Sequence, residues 1–132
     1  MSGVTYDPKN FPQCFTAGLP AICAVWMSLI RLGGGDIVMA STSYGGSSEL
    51  TDLLVNRTGC MRKTTFDITG TNPLVPAIEI ALKKIASEPE KLKSRVMVFV
   101  EIPTNPDMKV PDVKQIAEVL LRFKADMKVK AP

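Results

Sequence analysis

Val96 to Val100 reads VMVFV, an apolar run with no polar interruption. A half-exposed strand alternates apolar with polar residues, so an unbroken run of this length predicts a strand covered on both faces. Such a strand needs one layer of elements above it and another below. Asp36 to Ser41 (DIVMAS) is a second short run suited to a buried strand. Arg62 to Phe66 is a third and weaker candidate, polar apart from its threonines and phenylalanine.

Helical patterns separate these runs. Leu19 to Leu32 is apolar almost all the way round, with Pro20 suited to a first helical position and Gly33-Gly34-Gly35 as a stop. It is too short to cross a membrane and reads as a buried helix. A second helix follows Gly45-Gly46, with Ser47 or Ser48 as its cap, and runs to about Arg57 with Gly59 beyond it as a stop. Leu74, Ala77, Ile78, Ala81, Leu82 and Ile85 recur at helical spacing as one stripe. A fourth helix begins after Pro111, capped by Asp112, with a stripe of Val113, Ile116, Ala117, Leu120 and Leu121. Strands alternating with helices specify an α/β fold with a mostly parallel sheet. In such sheets ligands bind beyond the carboxyl ends of the strands.

Composition removes several classes of function. At 132 residues, 45% hydrophobic and 22% charged, the chain has material for one globular core. The net charge is +3, the 16 basic residues are spread along the chain, and aromatics make up 6%, which argues against a nucleic-acid partner. Three cysteines without a C-x-x-C pair point to free thiols, a reducing compartment and a cytoplasmic location. There is no histidine, so a Ser-His-Asp or Cys-His catalytic pair and a histidine-ligated zinc are all excluded within these residues. Chemistry here has to draw on a cofactor, on carboxylates or on lysine.

Three segments lie where a ligand is expected. Thr16 to Ile22 leads into the first helix, and Gly18 lets a backbone come close to a ligand while the free N–H groups of the first turn form an anion site. Tyr44-Gly45-Gly46 follows the second apolar run, an aromatic platform beside a flexible turn. Glu101-Ile102-Pro103-Thr104-Asn105-Pro106 follows VMVFV; a carboxylate there requires a partner, and Asn105 lies between two prolines that fix the backbone. Singly, each segment is equally an ordinary helix start, a packed tyrosine or a turn.

In this order and spacing, over residues 16–123, they resemble the pyridoxal-phosphate-dependent Cys/Met metabolism (transsulfuration) family. The family carries Ser-Gly-Met/Leu-Ala-Ala at a helix start, then Gly-Asp, then Tyr-Gly-Gly-Thr, then Glu-Thr/Ser-Pro-x-Asn-Pro, then Val-x-Asp-Ile. This chain has Ala17-Gly18-Leu19-Pro20-Ala21-Ile22, Gly35-Asp36, Tyr44-Gly45-Gly46-Ser47, Glu101-Ile102-Pro103-Thr104-Asn105-Pro106 and Val110-Pro111-Asp112-Val113. It departs from the pattern at Ala17, Pro20, Ser47 and Ile102.

The resemblance implies a fragment of the three-layer α/β/α large domain of fold-type I enzymes, with residues 1–15 as an irregular lead-in, 16–123 as the family-like core and 124–132 as a truncated end. It implies pyridoxal 5′-phosphate as cofactor. Gly18 and Leu19 would bind its phosphate, Tyr44 would stack on its ring, Asn105 would bond its 3′-oxygen and Glu101 would lie beneath it. The substrate class would be a sulfur-containing or homoserine-derived amino acid, with elimination or replacement at its β or γ carbon. A homo-oligomer, a homotetramer in many members, and no membrane or nucleic-acid partner are expected as well. The family's pyridine-pairing aspartate and Ser-x-Thr-Lys lysine have no counterpart among residues 1–132, so no catalytic residue is assigned and the piece is expected to need the remainder of its chain. The alternative is a non-catalytic α/β domain that binds a phosphorylated ligand or a partner protein.

Overall fold

The structure is a computed structural model that describes residues 13–69, 73–88, 95–104, 108, 110 and 112–130, with side chains to 127. In chain order the elements are α1 (Gly18–Arg31), β1 (Gly35–Ala40), α2 (Gly45–Thr58), β2 (Met61–Phe66), α3 (Leu74–Ala86), β3 (Val96–Phe99) and α4 (Val113–Lys130). The three strands form one parallel sheet in the order β2-β1-β3. This is the expected α/β architecture, with helices on both faces. No described helix is long and apolar enough to cross a membrane.

Side chains alternate across the sheet, and the two faces carry two separate cores. Ile37, Met39 and Met61 face α1 and α2 and pack with Trp26 and Leu29. Val38 and Phe66 face the other way, into Leu74, Ile78, Ala81, Leu82 and Ile85 of α3 and Ile116 and Val119 of α4. The stripe expected on α3 is therefore the one it buries, Ala77 being only partly covered.

Several local expectations are corrected. α1 buries only Trp26 and Leu29, while Val25, Met27 and Leu32 face outward, so it covers the sheet rather than lying inside the protein. VMVFV is expected to be covered on both faces, but among the described residues β3 pairs only with β1, at an edge of the sheet, and all four of its residues are only partly buried. α2 starts three residues earlier than a Ser47 cap requires: Tyr44 is its N-cap and Ser47 is buried within its first turn. Gly59 does end α2, in the left-handed conformation. Asp112 caps α4 as expected, its Oδ1 accepting from the N–H groups of Lys114 (3.0 Å) and Gln115 (3.2 Å). The buried face of α4 is Ile116, Val119, Leu120 and Phe123, whereas Val113, Ala117 and Leu121 are exposed.

Candidate functional site

At the carboxyl end of β1 the chain turns through residues 41–44 into α2. Ser41 N–H donates to Phe66 O (2.9 Å) and Ser43 N–H to Ala40 O (3.1 Å), which ties this turn to the ends of β2 and β1. Tyr44 then accepts the first helical bonds, from Ser47 N–H (2.9 Å) and Ser48 N–H (3.0 Å). Its ring stands 59% exposed.

The end of β3 lies alongside. Glu101, two positions past Phe99, points both carboxylate oxygens at the Tyr44 N–H, each 3.1 Å away. The partner that this carboxylate requires is therefore a backbone amide from a loop 57 residues earlier. The contact places a negative group at the amino end of α2, where the helix dipole favours it.

The amino end of α1 completes the cluster. Its N-cap, Ala17, makes no side-chain cap bond, and Pro20 has no N–H, so Gly18 and Leu19 present the free donors of the first turn. A methyl group placed on Gly18 would meet nothing within 4 Å. Leu19 is 40% exposed, and its Cδ2 lies 3.6 Å from where a Cβ on Gly46 would stand. The same Cβ would come within 2.8 Å of Tyr44 Cε1. Gly46 is thus the meeting point of Leu19 and Tyr44, and it belongs to α2 rather than to a flexible turn. The pattern Tyr-Gly-Gly carried the signal for it, but only the packing shows what the missing side chain is for.

A buried chain of contacts fixes these parts from below. Trp26 Nε1 donates to Thr51 Oγ1 (3.1 Å), which in turn donates to Ser47 O (2.7 Å). The Trp26 ring meets Phe99 edge-on at 5.7 Å between centroids. α1, the first turn of α2 and the end of β3 are thereby held together beneath the exposed face. Among the cavities there, the one lined by Thr42, Ser43, Glu101 and Thr104 has about 10 Å³, enough for one water.

Of the residues expected at the site, Gly18, Leu19, Tyr44 and Glu101 lie at the carboxyl side of the sheet, and Asn105 lies outside the described residues. Thr104, just before it, is buried, and its carbonyl accepts from Met108 N–H at 2.8 Å. Among the described residues no group of three or more potential metal ligands comes together.

A profile of the Cys/Met metabolism PLP-dependent enzyme family matches residues 9–129. The chain belongs to this family. Curated relatives include the chloroplastic cystathionine beta-lyase of Arabidopsis thaliana, 32% identical over 113 residues, which are 86% of this chain and 21% of the relative. The cystathionine beta-lyase of Lactococcus lactis subsp. cremoris is 30% identical over 105 residues, 80% of this chain and 23% of the relative. The cystathionine beta-lyase MetC of Staphylococcus haemolyticus is 26% identical over 114 residues, 86% and 25%. The chain thus spans between 21% and 25% of the length of these relatives. The α/β topology and the parallel sheet suit a part of the large domain of a fold-type I enzyme.

Proposed function

We propose that these residues anchor pyridoxal 5′-phosphate in a lyase of sulfur amino-acid metabolism, acting on cystathionine or a related sulfur-containing or homoserine-derived amino acid. The observation that carries the reading is the convergence of the uncapped amino end of α1 and the exposed ring of Tyr44 around Gly46. An anion fits the first part: two free N–H groups, a helix dipole and open space over Gly18. A flat ring fits the second. Names among the relatives favour a lyase over a transferase.

In this reading Gly18 and Leu19 donate to the phosphate, Tyr44 lies against the pyridine ring, and the Asn105 amide orients the 3′-oxygen. When bound, the cofactor supplies an electron sink for bond breaking at the substrate's β or γ carbon. Lys63, which reaches α2, is already engaged, its Nζ 2.8 Å from both Ser48 Oγ and Asp52 Oδ2. It is therefore poorly suited to hold the cofactor covalently, and residues 1–132 offer no lysine in the family's Ser-x-Thr-Lys context. A homo-oligomer is part of the same proposal. So is a cytoplasmic location, for which the relatives named chloroplastic make a plastid the alternative.

Gly18→Val tests the anion site directly. A Cβ there meets nothing within 4 Å, so the fold should hold, while the branched side chain fills the space over the free donors. Affinity for pyridoxal phosphate, titrated in the complete protein, should fall by about 1–3 kcal/mol if one charge-assisted bond is lost. Equal affinity in variant and parent, with an unchanged melting temperature, sinks the reading.

A further inference from the structure

We propose that Glu101 is a positioning residue that acts on the cofactor only through Tyr44. This rests on the proposed placement of the cofactor ring against Tyr44. Three observations support it. α2 has no side-chain cap of its own and no acidic residue in its first turn, so the helix start is left to a group from elsewhere. Glu101 supplies that group across the sheet, with both carboxylate oxygens directed at the single N–H of Tyr44 at 3.1 Å. The ring of the same residue is laid against Gly46, where a Cβ would overlap it at 2.8 Å from Cε1.

The two contacts act on different parts of one residue. Glu101 fixes the backbone of Tyr44 and so the root of the side chain. Gly46 leaves the ring one flat place to lie. Loss of either lets the aromatic face tilt away from the plane in which a flat ligand has to meet it. Here both carboxylate oxygens are directed at the amide, which turns the carboxylate toward the backbone of Tyr44.

The experiment is a double-mutant cycle in the complete protein, with pyridoxal phosphate as the probe. Its readouts are cofactor affinity, visible circular dichroism of the bound cofactor, and hydrogen exchange at the Tyr44 amide without cofactor. Glu101→Ala is expected to weaken affinity by about tenfold, reduce the dichroic band and speed exchange at the Tyr44 amide. Glu101→Gln keeps an acceptor and should restore most of all three. In a Tyr44→Ala background Glu101→Ala should cost nothing further, since residues acting through one contact are not additive. Gly46→Ala should reduce the dichroic band while leaving the Tyr44 amide protected.

A full-sized effect of Glu101→Ala in the Tyr44→Ala background overturns the proposal, because Glu101 then acts by another route. Unchanged exchange at the Tyr44 amide in Glu101→Ala overturns it as well. If Tyr44→Ala alone leaves affinity and dichroism unchanged, the cofactor placement is what fails. The exchange measurement still reports on the contact between Glu101 and Tyr44 in that case.

Discussion

Asp36 is the second residue of the central strand and is fully buried, at the end of the sheet opposite the candidate site. It stands in register with Arg62 on β2, and the two are joined through Oδ1 and Nε. Arg62 continues to Glu88, beyond the end of α3, with Nη1 3.0 Å from Oε2. Distance from the site makes this a structural device, pinning β1 to β2 and α3 at the edge of the core. A buried ion pair contributes little net stability but is costly to break from one side. Asp36→Ala takes the buried carboxylate from the largely buried guanidinium of Arg62 and leaves it the part-exposed Glu88, and should lower stability by about 3 kcal/mol. Glu88→Ala removes a partner that is 37% exposed and should cost under about 1 kcal/mol. Urea unfolding of both variants checks the order, and equal losses would show that Asp36 is not the buried anchor.

At the scale of elements, the legible parts were those whose partners are uniform. A helix face needs only apolar neighbours, so the α3 stripe is readable from spacing, whatever it packs on. β2 is different. MRKTTF looks weak because Arg62 and Lys63 sit inside it, yet both are paired from a distance, by Asp36 and Glu88 and by Ser48 and Asp52. Local pattern holds no trace of such pairs. The cap of α2 was misread for the same reason: serines stood nearby, but the acceptor at the helix start comes from Glu101 in another part of the chain. The positions of Tyr44, Gly18 and Leu19 at strand and helix ends follow from the pattern of elements, whereas the roles proposed for them rest on the family resemblance. The use of Gly46 was not legible, since a missing side chain acquires meaning only from what fills its place.

α4 shows how an amphipathic pattern can be right in kind and wrong in angle. Apolar residues cover more of its surface than one partner can bury, and packing against α3 selects Ile116, Val119, Leu120 and Phe123. Val119 is 3% exposed, whereas Ala117 is exposed. Val119→Ala should therefore cost about 2 kcal/mol, the transfer and cavity terms together. Ala117→Ser should stay within about 0.5 kcal/mol. Thermal unfolding of the two variants decides between this face and the one expected from spacing.

At the scale of the whole molecule, the described sheet has three strands, and among the described residues its outer strands β2 and β3 each pair on one side only. β3 is made of Val96, Met97, Val98 and Phe99, an apolar edge with unpaired backbone groups. Apolar residues of both covering layers are exposed too: Val25, Met27 and Leu32 on or just after α1, Ile80 on α3, and Val113 and Leu121 on α4. Beside β3 a groove of about 530 Å³ runs between Phe15, Val25, Leu32 and Met97. An edge and faces of this kind favour association unless other parts of a longer protein cover them. The 132-residue chain expressed alone should thus self-associate as its concentration rises, and it should show no turnover of cystathionine. Borohydride reduction in the presence of pyridoxal phosphate should label several lysines at substoichiometric levels rather than one. Sedimentation across a concentration series, with mapping of the labelled lysines, tests both halves. A monomer with a sharp melting transition would show that these surfaces are stable in water. A single stoichiometric adduct with turnover would place the reactive lysine within these residues after all.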